Sequence, residues 1–166
     1  MANPMTQTTA MTDQDRADRV SRFIGTLSQA RELGLSVEDA GEGRLTLCLP
    51  YNEKLIGDPN TRVIHGGAIT TLMDTTSGSV ILCALPEFEL CPTLDLRVDY
   101  MRPAEPDRPV YARAETYRVT RNIIFTRCEA FQDPGETIAN CVATFMRVGQ
   151  NALPRSYRDL ITGEGA

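Results

Sequence analysis

His65-Gly66-Gly67-Ala68-Ile69-Thr70-Thr71-Leu72-Met73-Asp74 places a glycine pair at the head of an apolar run, with one acid nine positions after the only histidine of the chain. From Gly66 to about Leu85, Ile69, Leu72, Met73, Thr76, Val80 and Cys83 fall on one stripe of a helix, and Pro86 stands just beyond it. On the neighbouring stripe Thr70, Asp74, Ser77 and Gly78 are polar or small, so another helix or a ligand can approach closely there. This pattern predicts a long helix buried on most of its sides.

A helix that begins at a glycine pair aims unpaired backbone N–H groups and the positive end of its dipole at whatever precedes it. Gly66 and Gly67 put no side chain in the way of an incoming carbonyl, and His65 adds a donor or fixes the loop. The plainer alternative is a turn whose glycines relieve close packing of helix on sheet. Asp74 is costly to bury in an apolar helix unless it is paired or used; its plainer alternative is a solvated or internally bonded aspartate. The eight-residue step from Gly66 to Asp74 spans roughly 12 Å of helix axis. One helix therefore does not bring both groups onto one carbonyl. Two such helices lying antiparallel across a twofold axis would, with the Gly67 N–H of one holding the acyl oxygen and Asp74 of the other acting as base or nucleophile.

Around this motif the chain reads as α+β. Residues 1–12 lack periodicity and read as a frayed tail. Thr12 or Asp13 caps an amphipathic helix over 13–34 carrying Val20, Phe23, Ile24 and Leu27, with Gly34 as its stop. A hairpin pairs 35–40 with 43–49, where Leu45, Leu47 and Leu49 alternate, and 51–65 reads as a loop. Strands follow at Thr93–Met101, 109–120, 122–132 and 136–147, the last two joined by Asp133-Pro134-Gly135. Strands met in succession favour antiparallel neighbours. Residues 149–166 read as a loose tail beyond a turn near Tyr157–Ile161. The expectation is a single domain over 13–148, with Ser77-Gly78-Ser79 serving helix packing.

Composition narrows the functional classes. A net charge of −5 argues against nucleic acid as the main partner. Sixteen of the 17 basic residues are arginine, Lys54 being the exception, a bias that fits phosphate binding or codon usage equally. The five cysteines form no Cys-x-x-Cys pair and mostly lie in apolar runs, which points to a reduced, cytoplasmic setting. The first twelve residues lack signal-peptide character and no apolar run is long enough for a membrane span. One histidine without a spaced acid cluster makes a metal site unexpected, and no Gly-x-Ser-x-Gly, Walker or dinucleotide fingerprint occurs.

His65-Gly66-Gly67 with Asp74, the strand Thr93-Leu94-Asp95-Leu96-Arg97-Val98-Asp99-Tyr100-Met101-Arg102-Pro103-Ala104, and the segment Val119–Ala130 together resemble the hotdog-fold acyl-CoA thioesterases of the PaaI type. The resemblance spans about residues 35–148. It implies a long central helix wrapped by an antiparallel sheet, here with an extra N-terminal helix, and subunits paired as dimers and often dimers of dimers. It implies hydrolysis of acyl- or aryl-CoA, with coenzyme A entering only as part of the substrate. It assigns Asp74 as base or nucleophile, Gly67 as oxyanion donor beside Gly66, and His65 as support for the thioester carbonyl. Thr93 would position water or the acid, and Arg121 and Asn122 would help hold the coenzyme A phosphates. Relatives commonly carry an asparagine six or seven residues before the histidine; here those positions are Pro59 and Asp58, so Asn60 is expected to take its role. Two other readings stay open on the same fold: a non-catalytic acyl-CoA-binding sensor, and an enoyl-CoA hydratase or dehydratase.

Overall fold

Leu45, Leu47 and Leu49 turn inward from their strand while Arg44 faces solvent, and similar two-residue alternation runs through the strands that follow. In the computed structural model, which describes residues 10–149 and 152–163, six strands make one antiparallel sheet. These are β1 (Ser36–Gly41), β2 (Arg44–Leu49), β3 (Thr93–Tyr100), β4 (Val110–Val119), β5 (Ile123–Phe131) and β6 (Thr137–Met146). Their spatial order is β1-β2-β4-β5-β6-β3, so β3 crosses over to the far edge and pairs only with β6.

The central helix α3 (Gly66–Ser79) packs across β2, β4 and β5 and buries Ile69, Leu72, Met73 and Thr76. Small residues let it sit this close. Ser77 is fully buried with its Oγ 3.6 Å from Cys141 Sγ, and a Cβ at Gly78 would come within 3.3 Å of the Phe145 ring. After Val80 the chain makes a further turn, α4 (Ile81–Ala84), so the helical course ends near Leu85 as its pattern predicts.

The segment expected as one helix over 13–34 is two. Helix α1 (Asp13–Thr26) starts on a reciprocal cap between Thr12 and Asp15, and α2 (Ser28–Leu33) ends at Gly34 in the left-handed conformation. Between them Leu27 is extended (φ −85, ψ 114). Thr26 turns its hydroxyl back onto Phe23 O at 2.7 Å, and the Leu27 N–H closes onto Ile24 O, which ends α1 one turn early. Arg19, buried in α1, donates to Leu82 O at 3.2 Å and Leu85 O at 3.1 Å. A cation at the C-terminal end of α4 neutralises that end of the dipole and pins the N-terminal helices to the domain.

Residues 1–9 of the expected N-terminal tail lie outside the described residues, as do 150, 151 and 164–166. Between the latter, the expected C-terminal tail contains a docked helix, α5 (Arg155–Thr162). Its Ile161 is fully buried, Tyr157 OH lies 2.9 Å from Thr26 Oγ1, and Arg22 donates to Ile161 O at 2.8 Å. One buried isoleucine and a tyrosine are too short a pattern to announce a helix by periodicity. Among the described residues no helix is long and apolar enough to cross a membrane.

Candidate active site

The loop before the glycine pair folds onto itself. Gly57 N–H donates to Val63 O at 2.8 Å, His65 N–H to Leu55 O at 2.7 Å, and Ile56 bridges Ile64. His65 is thereby held extended (φ −60, ψ 133) at the entry to α3, and its ring turns over the first helical turn. Its Nδ1 accepts the Gly67 N–H at 2.9 Å, so the histidine is the N-cap. Because a backbone N–H can only donate, Nδ1 carries a lone pair and the neutral ring holds its proton on Nε2.

This cap changes which glycine is available. Gly67 N–H, expected as the oxyanion donor, is already engaged by His65, and Ala68 N–H is taken by His65 O at 3.0 Å. Gly66 N–H has no acceptor among the described residues and is the open donor of the turn. Tyr100, at the end of β3, locks this turn from the other side. Its hydroxyl donates to Gly66 O and lies 2.7 Å from Thr70 Oγ1, and a Cβ at Gly66 would come within 3.2 Å of it.

Asp74 lies two turns further along, half-buried, and its Oδ1 accepts the Thr93 hydroxyl at 3.0 Å. Thr93 opens β3 next to a bulge between Thr93 and Asp95. The two residues border a cavity of about 170 Å³ whose apolar walls include Phe23, Leu27, Leu82 and Phe145. Cys91 lines the same cavity, but burial pushes its thiol up to about 11, which leaves it protonated and a poor nucleophile at neutral pH. His65 and Gly67 border a separate cleft of about 600 Å³, between α2, the loop at Leu55–Gly57 and the start of α3. Each chain thus presents a donor half and an acid half, divided along the helix as the spacing predicts.

The remaining candidates fall into two groups. Asn60 sits in an exposed turn with its backbone N–H on Asp58 Oδ1 at 2.9 Å, and it borders neither the His65 cleft nor the Asp74 cavity. Within one chain it stands apart from both His65 and Asp74. That bond and the Thr61 hydroxyl hold the Asp58 carboxyl below its ordinary range and tie the carboxylate into the turn itself. Arg121 and Asn122 form the exposed β4–β5 turn at the Thr93 end of the sheet: Arg147 N–H donates to Asn122 O at 2.8 Å, and Met146 N–H to Pro92 O at 3.0 Å. Arg147 itself pairs with the buried Glu89 and donates to Thr120 O at 3.1 Å, fixing this turn against the cavity wall. The roles of Tyr100 and Arg147 are absent from the motif, because both act through contacts across the fold. Among the described residues no three His, Cys, Asp or Glu side chains gather as metal ligands would.

A model of the thioesterase superfamily matches residues 62–139, which hold the glycine pair, Asp74 and Thr93. Over 148 residues the chain is 34% identical to an esterase-like protein of Halobacterium salinarum, VNG_1336C, across 87% of this chain and 95% of that one. The chain belongs to the thioesterase superfamily. The medium/long-chain acyl-CoA thioesterase YigI of Salmonella typhimurium is 28% identical over 75% of this chain and 88% of its own length. A Pseudomonas aeruginosa protein of known crystal structure superposes with a TM-score of 0.75 at 57% identity, covering 80% of this chain and 99% of that one. Escherichia coli PaaI, from the phenylacetic acid degradation operon, shares the fold at a TM-score of 0.72 and 15% identity, over 82% of this chain and 96% of its own. The fold is the hotdog of this superfamily, and thioester hydrolysis is the chemistry of its members.

Proposed function

We propose that this thioesterase superfamily member hydrolyses acyl- or aryl-CoA thioesters to the free acid and coenzyme A, with Asp74 as general base on water. The observation that carries the reading is the Thr93–Asp74 hydrogen bond of 3.0 Å at the edge of an apolar cavity. It leaves one carboxylate oxygen to take a proton and fixes the direction from which water is delivered. Water oxygen adds to the thioester carbonyl as its proton passes to Asp74. The oxyanion rests on the N–H at the glycine end of a second copy, and collapse breaks the C–S bond, with Asp74 returning the proton to the departing thiolate. Gly66 takes the donor role first assigned to Gly67, and His65, its proton on Nε2, supports the carbonyl.

The second copy is required because the two halves lie on one helix, roughly 12 Å apart. The free edge of β3 supports such pairing: the strand bonds only to β6, and Leu94, Tyr100 and Met101 at or just beyond it are exposed. Two antiparallel helices across that edge make two equivalent sites, and pairs of dimers are the further expectation. Arg121 and Asn122, at the Thr93 end of the sheet, are placed to meet coenzyme A phosphates. All five cysteines are free, in keeping with work in the reducing cytoplasm.

A panel of acyl- and aryl-CoA substrates with free-thiol detection tests the reading. Release of coenzyme A, abolished in a folded Asp74→Asn variant, is the expected result. No release from any member would overturn it, and stabilisation by acyl-CoA without turnover would make the protein a sensor instead.

A further inference from the structure

Leu27 and Gln29, at the unexpected break between α1 and α2, both border the Asp74 cavity. Gln29 also borders the His65 cleft, and it is the single residue common to the two linings among the described residues. Beneath it runs one face of α3: Gly67, Ala68 and Thr71 in the cleft, Thr75 and Gly78 in the cavity. The two spaces are therefore consecutive compartments of one groove between α3 and the N-terminal helices, with Gln29 between them. The Gln29 side chain is exposed and makes no hydrogen bond within the described chain, so nothing but packing holds it there.

The sizes make this position consequential. Within one chain, the space beside Asp74 is about 170 Å³, smaller than the ~300 Å³ at the low end of drug-sized ligand sites, whereas the cleft beyond Gln29 offers about 600 Å³. An acyl group whose carbonyl lies at Asp74 meets Phe23, Leu27, Leu82 and Phe145 at once, and fits there if it is short or a single ring. A longer chain has to displace the Gln29 side chain, which stands between the cavity and the cleft.

The geometry points to Gln29 as the residue that sets acyl length: it closes the Asp74 cavity and keeps chains from running on into the His65 cleft. This rests on the proposed hydrolysis, since it assumes the carbonyl lies at Asp74. Truncation joins the two compartments, and a side chain of similar size does not.

The test compares wild type, Gln29→Ala, Gln29→Leu and Leu27→Ala on butyryl-, benzoyl-, octanoyl- and lauroyl-CoA, reading kcat/KM for each. Gln29→Ala is expected to raise the lauroyl-to-butyryl ratio by about tenfold or more, the size of effect that added pocket length gives. Gln29→Leu should keep the wild-type ratio, and Leu27→Ala should favour octanoyl- over butyryl-CoA by deepening the cavity wall. Thermal midpoints close to wild type show that folding is not the cause. An unchanged ratio in Gln29→Ala overturns the inference while leaving the hydrolase intact. If wild type cleaves none of the panel, the hydrolase reading fails, and acyl-length ranking is then read from protection against thermal unfolding by the same four ligands. A ranking that Gln29→Ala does not move overturns the inference there too.

Discussion

The two halves of the proposed site lie on one helix yet are built in opposite ways. The glycine end is assembled from neighbours in sequence: His65 caps Gly67 from two residues away, and the Leu55–His65 loop sets the entry angle. The acid end is assembled across the fold, since Asp74 gains its partner from Thr93 at the start of β3 and its apolar surroundings from Phe23, Leu27 and Phe145. The first half is preorganised wherever the helix forms. The second exists only once sheet and N-terminal helices have closed on it. Tyr100 joins the two, because the strand that brings Thr93 to Asp74 also brings a hydroxyl to Gly66 O.

Perturbing each half separately tests that contrast. The largest effect is expected at the acid: Asp74→Asn keeps the side-chain volume and an acceptor for Thr93 but cannot take a proton, so kcat should fall about a thousandfold with little change in thermal midpoint. Retained activity would move the base elsewhere. Next comes the donor. Gly66 is the first residue of α3, where proline is tolerated, and His65 already has the extended backbone that a following proline demands. Gly66→Pro therefore removes one N–H from an otherwise preserved helix and should lower kcat by about a hundredfold, while Gly66→Ala, which keeps the N–H and shifts Tyr100 slightly, should lose much less. Equal activity in the two variants would return the donor role to Gly67.

A smaller loss, about tenfold, is expected for Thr93→Ala, which deletes one hydrogen bond to a carboxylate, with Thr93→Ser restoring most of the rate. Failure of serine to rescue would mean that the threonine methyl, and not the hydroxyl, matters. Smallest is the stability term at the cap. His65→Ala should cost about 1 kcal/mol in denaturant unfolding, and His65→Asn, another good cap, should recover it. If His65→Asn regains stability but not rate, the histidine Nε2 proton has a role at the carbonyl beyond capping.

The helix that carries the site was legible because Ile69, Leu72, Met73, Thr76, Val80 and Cys83 repeat with the helical period, and all six are buried. The strands were legible for the same reason, within a residue or so at each end. The break at Leu27 was not, since Val20, Phe23, Ile24 and Leu27 keep helical spacing right up to it; a threonine hydroxyl turning back on its own helix leaves no trace in periodicity. Helix α5 was equally hidden, its one fully buried apolar residue being meaningful only against α1. At the site, the Thr93 hydroxyl lies within hydrogen-bond distance of Asp74, and Asn60 lies in a surface turn away from both in its own chain; neither placement follows from residue periodicity.

By itself the sequence determined the period of each element, the helix opening at a glycine pair, and the eight-residue separation that keeps donor and acid apart in one chain. Those are consequences of local geometry, where 1.5 Å of rise per residue leaves no freedom. Tertiary structure alone decided which glycine N–H remains open, which hydroxyl meets Asp74, and which side chain stands between the two compartments. Each of these depends on groups distant in sequence, or on a rotamer that competes for the same hydrogen bond, and no pattern of residue types encodes the outcome of that competition.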